Sequence, residues 1–253
     1  MDEKITSILF TIDKSHSLEP ALTAAKSVSR KLQGKLFYVQ TDESLQLESK
    51  PSEYEVIRVA LPLWKGVSKI SQEHGSKLAL ISAPIQKEGL FGGGMAACVK
   101  SFDKCRVLYL NTAQNWVEPK NMLLPIDGNS ETRQKLFATS DWAKQYYSIV
   151  HVLGISHPKD KEDQRYSHTY ALQAKVYMEE RKINVKIEEV QNKNCAEAVL
   201  EKSNDLQNHW IAVVSNTEGA FKTSAFQKVC EQAKVPILIS PYQEVVGTGS
   251  VGY

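Results

Sequence analysis

Asp127 closes a short apolar run, Met122–Ile126, and is followed by Gly128, Asn129 and Ser130. A carboxylate at the end of a buried strand can accept hydrogen bonds from a ligand, because open α/β sheets place their ligands beyond the carboxyl ends of the strands. It can equally cap the helix that follows, and on sequence both readings stand. Asp13 holds the matching place in an earlier copy of the same shape, Ile8–Ser17. A second kind of chemistry is offered by Gly92, Gly93 and Gly94, which lead into a helical pattern. Glycines let a backbone approach an anion, and N–H groups at a helix start complete such a site. The same run, Gly89–Gly94, also suits a plain flexible turn.

Other chemistries find no support in residue spacing. The six histidines show neither H-x-x-x-H nor H-E-x-x-H spacing, so no metal site is expected. The four cysteines, Cys98, Cys105, Cys195 and Cys230, form no C-x-x-C pair and are expected as reduced thiols. No G-x-S-x-G elbow, P-loop or paired carboxylates argue for catalysis.

The elements that must carry these residues follow from periodicity. Ile5–Ile12 is an expected strand, and Leu18–Leu32 an expected helix with Leu18, Ala21, Leu22, Ala25, Val28 and Leu32 on one face. Ser17 is its natural cap and Gly34 its stop. Strands are expected at Leu36–Thr41, Tyr54–Val59, Lys77–Ser82 and Arg106–Leu110, with Asp42–Ser52 crossing as a loop. A linker is expected within Asn111–Lys120, which is polar and contains Pro119. The second half repeats the order: strand Met122–Ile126, helix Glu131–Tyr146, strand Ile149–Leu153, a longer helix opened by the charge run Asp160–Arg165, strand Ile183–Val190, a short helix, strand Trp210–Val214, a helix after Phe221, and strand Pro236–Ile239. On the longer helix Tyr166, Tyr170 and Tyr177 share a face and should pack inward or against another chain. Pro125 is awkward, since proline cannot donate to a sheet ladder.

At 253 residues, 42% hydrophobic and 24% charged, the chain suits two ordinary globular domains. Helices alternating with strands imply parallel pairing. A net charge of +2 gives no electrostatic case for nucleic acid or an anionic membrane. No apolar run reaches the ~20 residues that span a bilayer, and Met1–Ser7 has no signal-peptide core. A cytoplasmic protein is therefore expected.

The stretch MLLPIDGNS at Met122–Ser130 resembles the opening of universal stress protein (UspA-like) domains. KVPILIS at Lys234–Ser240 is similar to the closing strand of that family, and KCRVLYL at Lys104–Leu110 is a looser copy. The resemblance covers nearly the whole chain as a tandem. It implies an α/β fold of two Rossmann-like (adenine nucleotide alpha hydrolase-like) parallel-sheet domains, residues 1–115 and 118–253, packed as an internal pseudo-dimer, with the first shortened in its middle and the second carrying a mobile tail.

The resemblance also implies function. Nucleotide-binding members carry G-x-x-G, a nine-residue spacer and Gly-Ser or Gly-Thr before the last helix. Here Gly93-Gly94 and Thr223-Ser224 hold the second place, whereas Ser82–Ile85 and Ser215–Glu218 replace G-x-x-G, with shortened spacers. Glu218 adds negative charge where a triphosphate would lie. The aspartates implied at the adenine end, Asp13 and Asp127, are kept, so the candidate nucleotide contacts are Asp13, Gly92, Gly93, Gly94, Asp127, Thr223 and Ser224. The expectation is a stress-response binding or regulatory protein with degenerate nucleotide loops, not a conventional enzyme. No cofactor is expected to be tightly bound, and ATP binding is at best weak. Self-association and an unidentified regulatory protein or small ligand are the expected partners. The alternative is an ATP-binding switch with weak ATPase activity.

Overall fold

The computed structural model describes residues 5–84, 94–102, 104–111, 116–215 and 223–242. Among the described residues ten strands form one sheet: β1 (Ser7–Ile12), β2 (Lys35–Gln40), β3 (Glu55–Arg58), β4 (Leu78–Ser82), β5 (Arg106–Leu110), β6 (Asn121–Ile126), β7 (Ile149–Ser156), β8 (Val185–Gln191), β9 (His209–Val214) and β10 (Ile237–Ser240). Their spatial order is β3-β2-β1-β4-β5-β10-β9-β6-β7-β8. Within each half every pairing is parallel. The halves have the same internal order, and they meet through the antiparallel pair β5–β10, with Leu108 opposite Leu238. The expected tandem is thus a pseudo-twofold arrangement in which two five-stranded sheets merge into one.

The helices are α1 (Leu18–Leu32), α2 (Leu63–Glu73), α3 (Gly94–Lys100), α4 (Gln134–Tyr146), α5 (Lys161–Glu180), α6 (Cys195–Asp205) and α7 (Thr223–Gln232). Alternation along the strands sends Leu9, Val39, Ile81 and Ile211 to a core with α2, α3, α6 and α7, and Ile8, Phe10, Leu80 and Trp210 to a second core with α1, α4 and α5. Helices therefore cover both faces, as a parallel sheet requires. The halves differ in one crossover. α5 joins β7 to β8, whereas the chain passes from β2 to β3 through the loop 41–54 without a helix.

Several local expectations need adjustment. Ser17 occupies the start of α1 but makes no side-chain cap there. Gln33, not Gly34, takes the left-handed conformation at its end, with φ 54°. Gly34 is needed for space: a Cβ there would lie 2.9 Å from Ile8 Cδ1. The expected helix start at Glu131 is a 3₁₀ turn, Ser130–Arg133, and α4 begins at Gln134. On α5 the Asp160 side chain accepts from the N–H groups of Glu162 and Asp163, a true cap. Tyr170 and Tyr177 pack against the core as expected, while Tyr166 stays 37% exposed and stacks on Tyr170.

Pro125 is accommodated at the centre of the second half. β6 pairs with β7 along its whole length, through Ile126 opposite Gly154. Its ladder with β9 stops at Leu123 opposite Ile211. In the first half the corresponding β1–β4 ladder continues to Ile12 opposite Ser82. The missing proline donor thus ends the β9 ladder early and spares the β7 ladder.

At the other end of β9, buried His209 bonds Ser203 Oγ through Nε2 at 2.7 Å. Burial pulls its pKa down from 6.5 to about 4. The folded state therefore holds it neutral where the unfolded chain would protonate. Its contribution to stability is complete above pH 6.5 and is lost as pH falls toward 4, by roughly 3 kcal/mol at most. Urea unfolding across that range should show the fall, and His209→Gln should flatten it. An equal slope in both proteins would refute the assignment.

Candidate functional site

Strand order reverses beside β1 in the first half and beside β6 in the second, so each half has a switch point where α/β sheets hold ligands. Asp13 and Asp127 stand at those two points, one residue beyond β1 and β6.

Asp13 is engaged by its own turn. Its Oδ1 accepts from Ser15 N–H at 2.8 Å and from Ser15 Oγ at 2.5 Å. Its N–H donates to Ser82 O at 2.8 Å, which closes β1 against β4. His16 Nδ1 lies 2.9 Å from Ser82 Oγ across the same point, and burial lowers its pKa against the pull of Asp13. Asp13 therefore orders a turn; it does not cap α1.

The loop after β2 completes the closure. Asp13 bridges to Ser44 in antiparallel sense, Lys14 N–H donates to Glu43 O at 3.0 Å, and Leu45 N–H donates to Ile12 O at 2.9 Å. Ser44 Oγ accepts from Thr41 N–H at 2.7 Å and holds the loop's bend. Glu43 Oε2 accepts from Leu63 N–H at 2.8 Å, so an internal carboxylate sits on the positive start of α2. The chain's own loop thus lies along the end of β1 beside Asp13.

Asp127 is in a drier place, 3% exposed. Its N–H turns to Thr132 Oγ1 at 3.4 Å, and its Oδ1 accepts weakly from Asn129 N–H at 3.4 Å. Lys135, on the first turn of α4, is also 3% exposed. Burial pulls its pKa down from 10.5 to about 8, partly offset by the Asp127 carboxylate. Cys195, the first residue of α6, feels the same group: burial, helped by Asp127 and Asp163 and opposed by Lys135, pushes its thiol up to about 12. A thiol so placed is a poor nucleophile.

Asp163 fills the space over the Asp127 turn. Its Oδ2 accepts from His157 N–H at 2.5 Å. A Cβ on Gly128 would fall 2.2 Å from Asp163 Oδ1, so any other residue there would force this carboxylate to shift. Each switch-point turn is thus met by residues of the protein itself, Glu43–Leu45 in one half and Asp163 in the other.

The phosphate-side candidates are less gathered. Gly92 and Gly93 lie outside the described residues. Gly94 begins α3, a helix of 7 residues, and the next N–H, that of Met95, is taken at 3.0 Å by Gln227 Oε1 of α7. Thr223 begins α7 and Ser224 follows it, exposed. Glu218 and Lys222 also lie outside the described residues. Sequence reasoning missed Lys135, Asp163, Cys195 and Glu43. For Lys135 a signal existed: it falls in phase with Thr139, Trp142 and Tyr146, the buried face of α4. No group of three or more His, Cys, Asp or Glu able to hold a metal occurs among the described residues, and no helix there is long and apolar enough to cross a membrane.

No family model matches the chain, and no curated protein matches it in sequence. Solved structures do match. A functionally unknown protein from Pseudomonas aeruginosa is 16% identical over 94% of this chain and 93% of its own, with a TM-score of 0.62. A universal stress protein from Archaeoglobus fulgidus is 11% identical over 93% of this chain and 96% of its own, with a TM-score of 0.63. A universal stress protein in complex with cAMP is 12% identical and overlaps 50% of this chain and 98% of its own; at a TM-score of 0.40 its ligand bears on no residue here. The two full-length likenesses support the overall fold described above. This chain therefore has the fold of tandem universal stress proteins.

Proposed function

We propose that the chain is a binding or regulatory protein of the stress-response type, not a conventional enzyme, whose two nucleotide crevices have been closed by its own residues. The observation that supports this most is the pair of internal occupants. Glu43–Leu45 lies along Asp13, and the Asp163 carboxylate lies against Gly128 beside Asp127. A nucleotide entering either crevice would have to displace a capped loop or a hydrogen-bonded carboxylate, and would meet carboxylates instead of donors. Two domains, 1–115 and 118–253, acting in the cytoplasm with self-association or a regulatory partner, belong to the same proposal. So does the absence of a role in binding nucleic acid.

A second reading is an ATP-binding switch with weak ATPase activity. Its support is confined to the second half, where the β6–β9 ladder ends at Leu123 and buried Lys135 stands within the field of Asp127. In that case Asp127, Thr223 and Ser224 are the contacts; for the first half they would be Asp13 and Gly92–Gly94. Native mass spectrometry of the purified protein separates the readings. The proposal expects the mass of the bare chain or of its homo-oligomer. A retained adenine nucleotide, lost in Asp127→Asn, would establish the second reading instead.

A further inference from the structure

Where the two halves meet on the α1–α4 face, three aromatic rings gather around Trp210. Its ring centroid lies 5.3 Å from Trp116, 5.1 Å from Trp142 and 5.4 Å from Tyr146. Trp142 and Tyr146 stack on one another at 5.8 Å. Lys31 of α1 places its ammonium 5.2 Å from the centre of the Tyr146 ring, so the first half also touches the cluster. Trp210 is fully buried and Tyr146 is 8% exposed.

Three polar atoms in this cluster are buried and find no protein partner among the described residues: Trp116 Nε1, Trp210 Nε1 and Tyr146 Oη. Buried donors without acceptors are rare in folded proteins, and three in one cluster call for a shared explanation. An indole N–H can only donate, whereas a phenol can donate and accept. The cluster is therefore rich in protons and short of lone pairs. A group that serves it must accept at least two hydrogen bonds and be small enough to sit among packed rings. A buried anion would lack a fully paired cation here and would carry a large desolvation cost. A neutral acceptor avoids that cost.

We propose that the cluster is a binding site for a structural water molecule. Its oxygen accepts the N–H protons of Trp116 and Trp210, and one of its protons is donated to Tyr146 Oη. That makes three hydrogen bonds, the number a buried water typically makes. The water ties together the linker residue Trp116, helix α4 through Tyr146 and strand β9 through Trp210. It would fix the linker on the second half at the place where Lys31 brings in the first. The competing arrangement is N–H···π contact between the rings, which is weaker and leaves the phenol unserved.

Two measurements on the full-length protein decide the matter. A crystal structure that resolves ordered solvent should place an oxygen about 2.8–3.2 Å from both indole Nε1 atoms. In solution, both indole protons should show cross-relaxation to one long-lived water, and Tyr146→Phe should make that water exchange at least about tenfold faster by removing its third bond. Indole N–H groups aimed at ring faces with no oxygen between them would overturn the proposal. So would a bound molecule other than water at that place. Unchanged exchange in Tyr146→Phe would remove the phenol from the site and overturn the three-bond form.

Discussion

Replacing Lys135 with methionine is expected to destabilise the protein by about 3–5 kcal/mol at neutral pH. The loss comes from Asp127, whose carboxylate is 3% exposed and would be left without its cation. The pair itself adds little. Burial holds Lys135 at a pKa of about 8 even with Asp127 beside it, so desolvation outweighs the attraction. Removing both charges, as Lys135→Met with Asp127→Asn, should therefore return stability to within about 1 kcal/mol of the wild type. The sign of the pH effect follows. A base with a folded pKa below its unfolded value contributes full stability above 10.5 and loses it as pH falls to about 8. The wild type should gain on the Lys135→Met variant across that window. Urea unfolding of the single and double variants gives the coupling directly. Additive losses, with no recovery in the double variant, would show that Lys135 and Asp127 do not act on each other.

The second large effect belongs to Trp210. Trp210→Ala should cost about 3–5 kcal/mol, the usual range for deleting a buried large aromatic side chain. Trp210 is fully buried, lies at the start of β9 and touches the rings of Trp116, Trp142 and Tyr146. No single neighbour can fill the space it leaves without abandoning another contact. Phe37→Ala is a useful contrast, since that side chain is only partly buried at the margin of the other core and should cost clearly less. Chemical denaturation of both variants tests the ranking. Equal losses, or a Trp210→Ala loss below about 1 kcal/mol, would contradict the central place given to this cluster.

Much of the fold was legible because it rests on local periodicity. The buried runs Ile8–Ile12, Leu78–Ser82 and Met122–Ile126 are strands on their own composition, and α1 follows from its apolar face. The position of Asp13 and Asp127 just beyond strands was legible for the same reason: each ends such a run. Pro125 was recognised as awkward, but its effect, an early end to the β6–β9 ladder, depends on which neighbour lies on which side. Sequence patterning does not report that. The residues that meet the turns at Asp13 and Asp127 were illegible for a related reason. Glu43 caps a helix that begins twenty residues later, with |i−j| = 20, and Asp163 reaches back from α5 to Gly128. Neither contact leaves a local signature. Lys135 was readable in principle, since a lysine in phase with buried Thr139 and Trp142 breaks the amphipathic pattern of α4.

The proposed closure of both switch-point crevices predicts that neither accepts a nucleotide. Calorimetric titration of the full-length protein with ATP and magnesium tests that most directly. With Glu43–Leu45 lying along Asp13 and Asp163 against Gly128, the expected result is no saturable binding below about 1 mM, with Asp13→Ala and Asp127→Ala indistinguishable from the wild type. A dissociation constant at or below about 1 μM, abolished by Asp127→Ala and untouched by Asp13→Ala, would contradict the closure of the second crevice and establish a nucleotide site there.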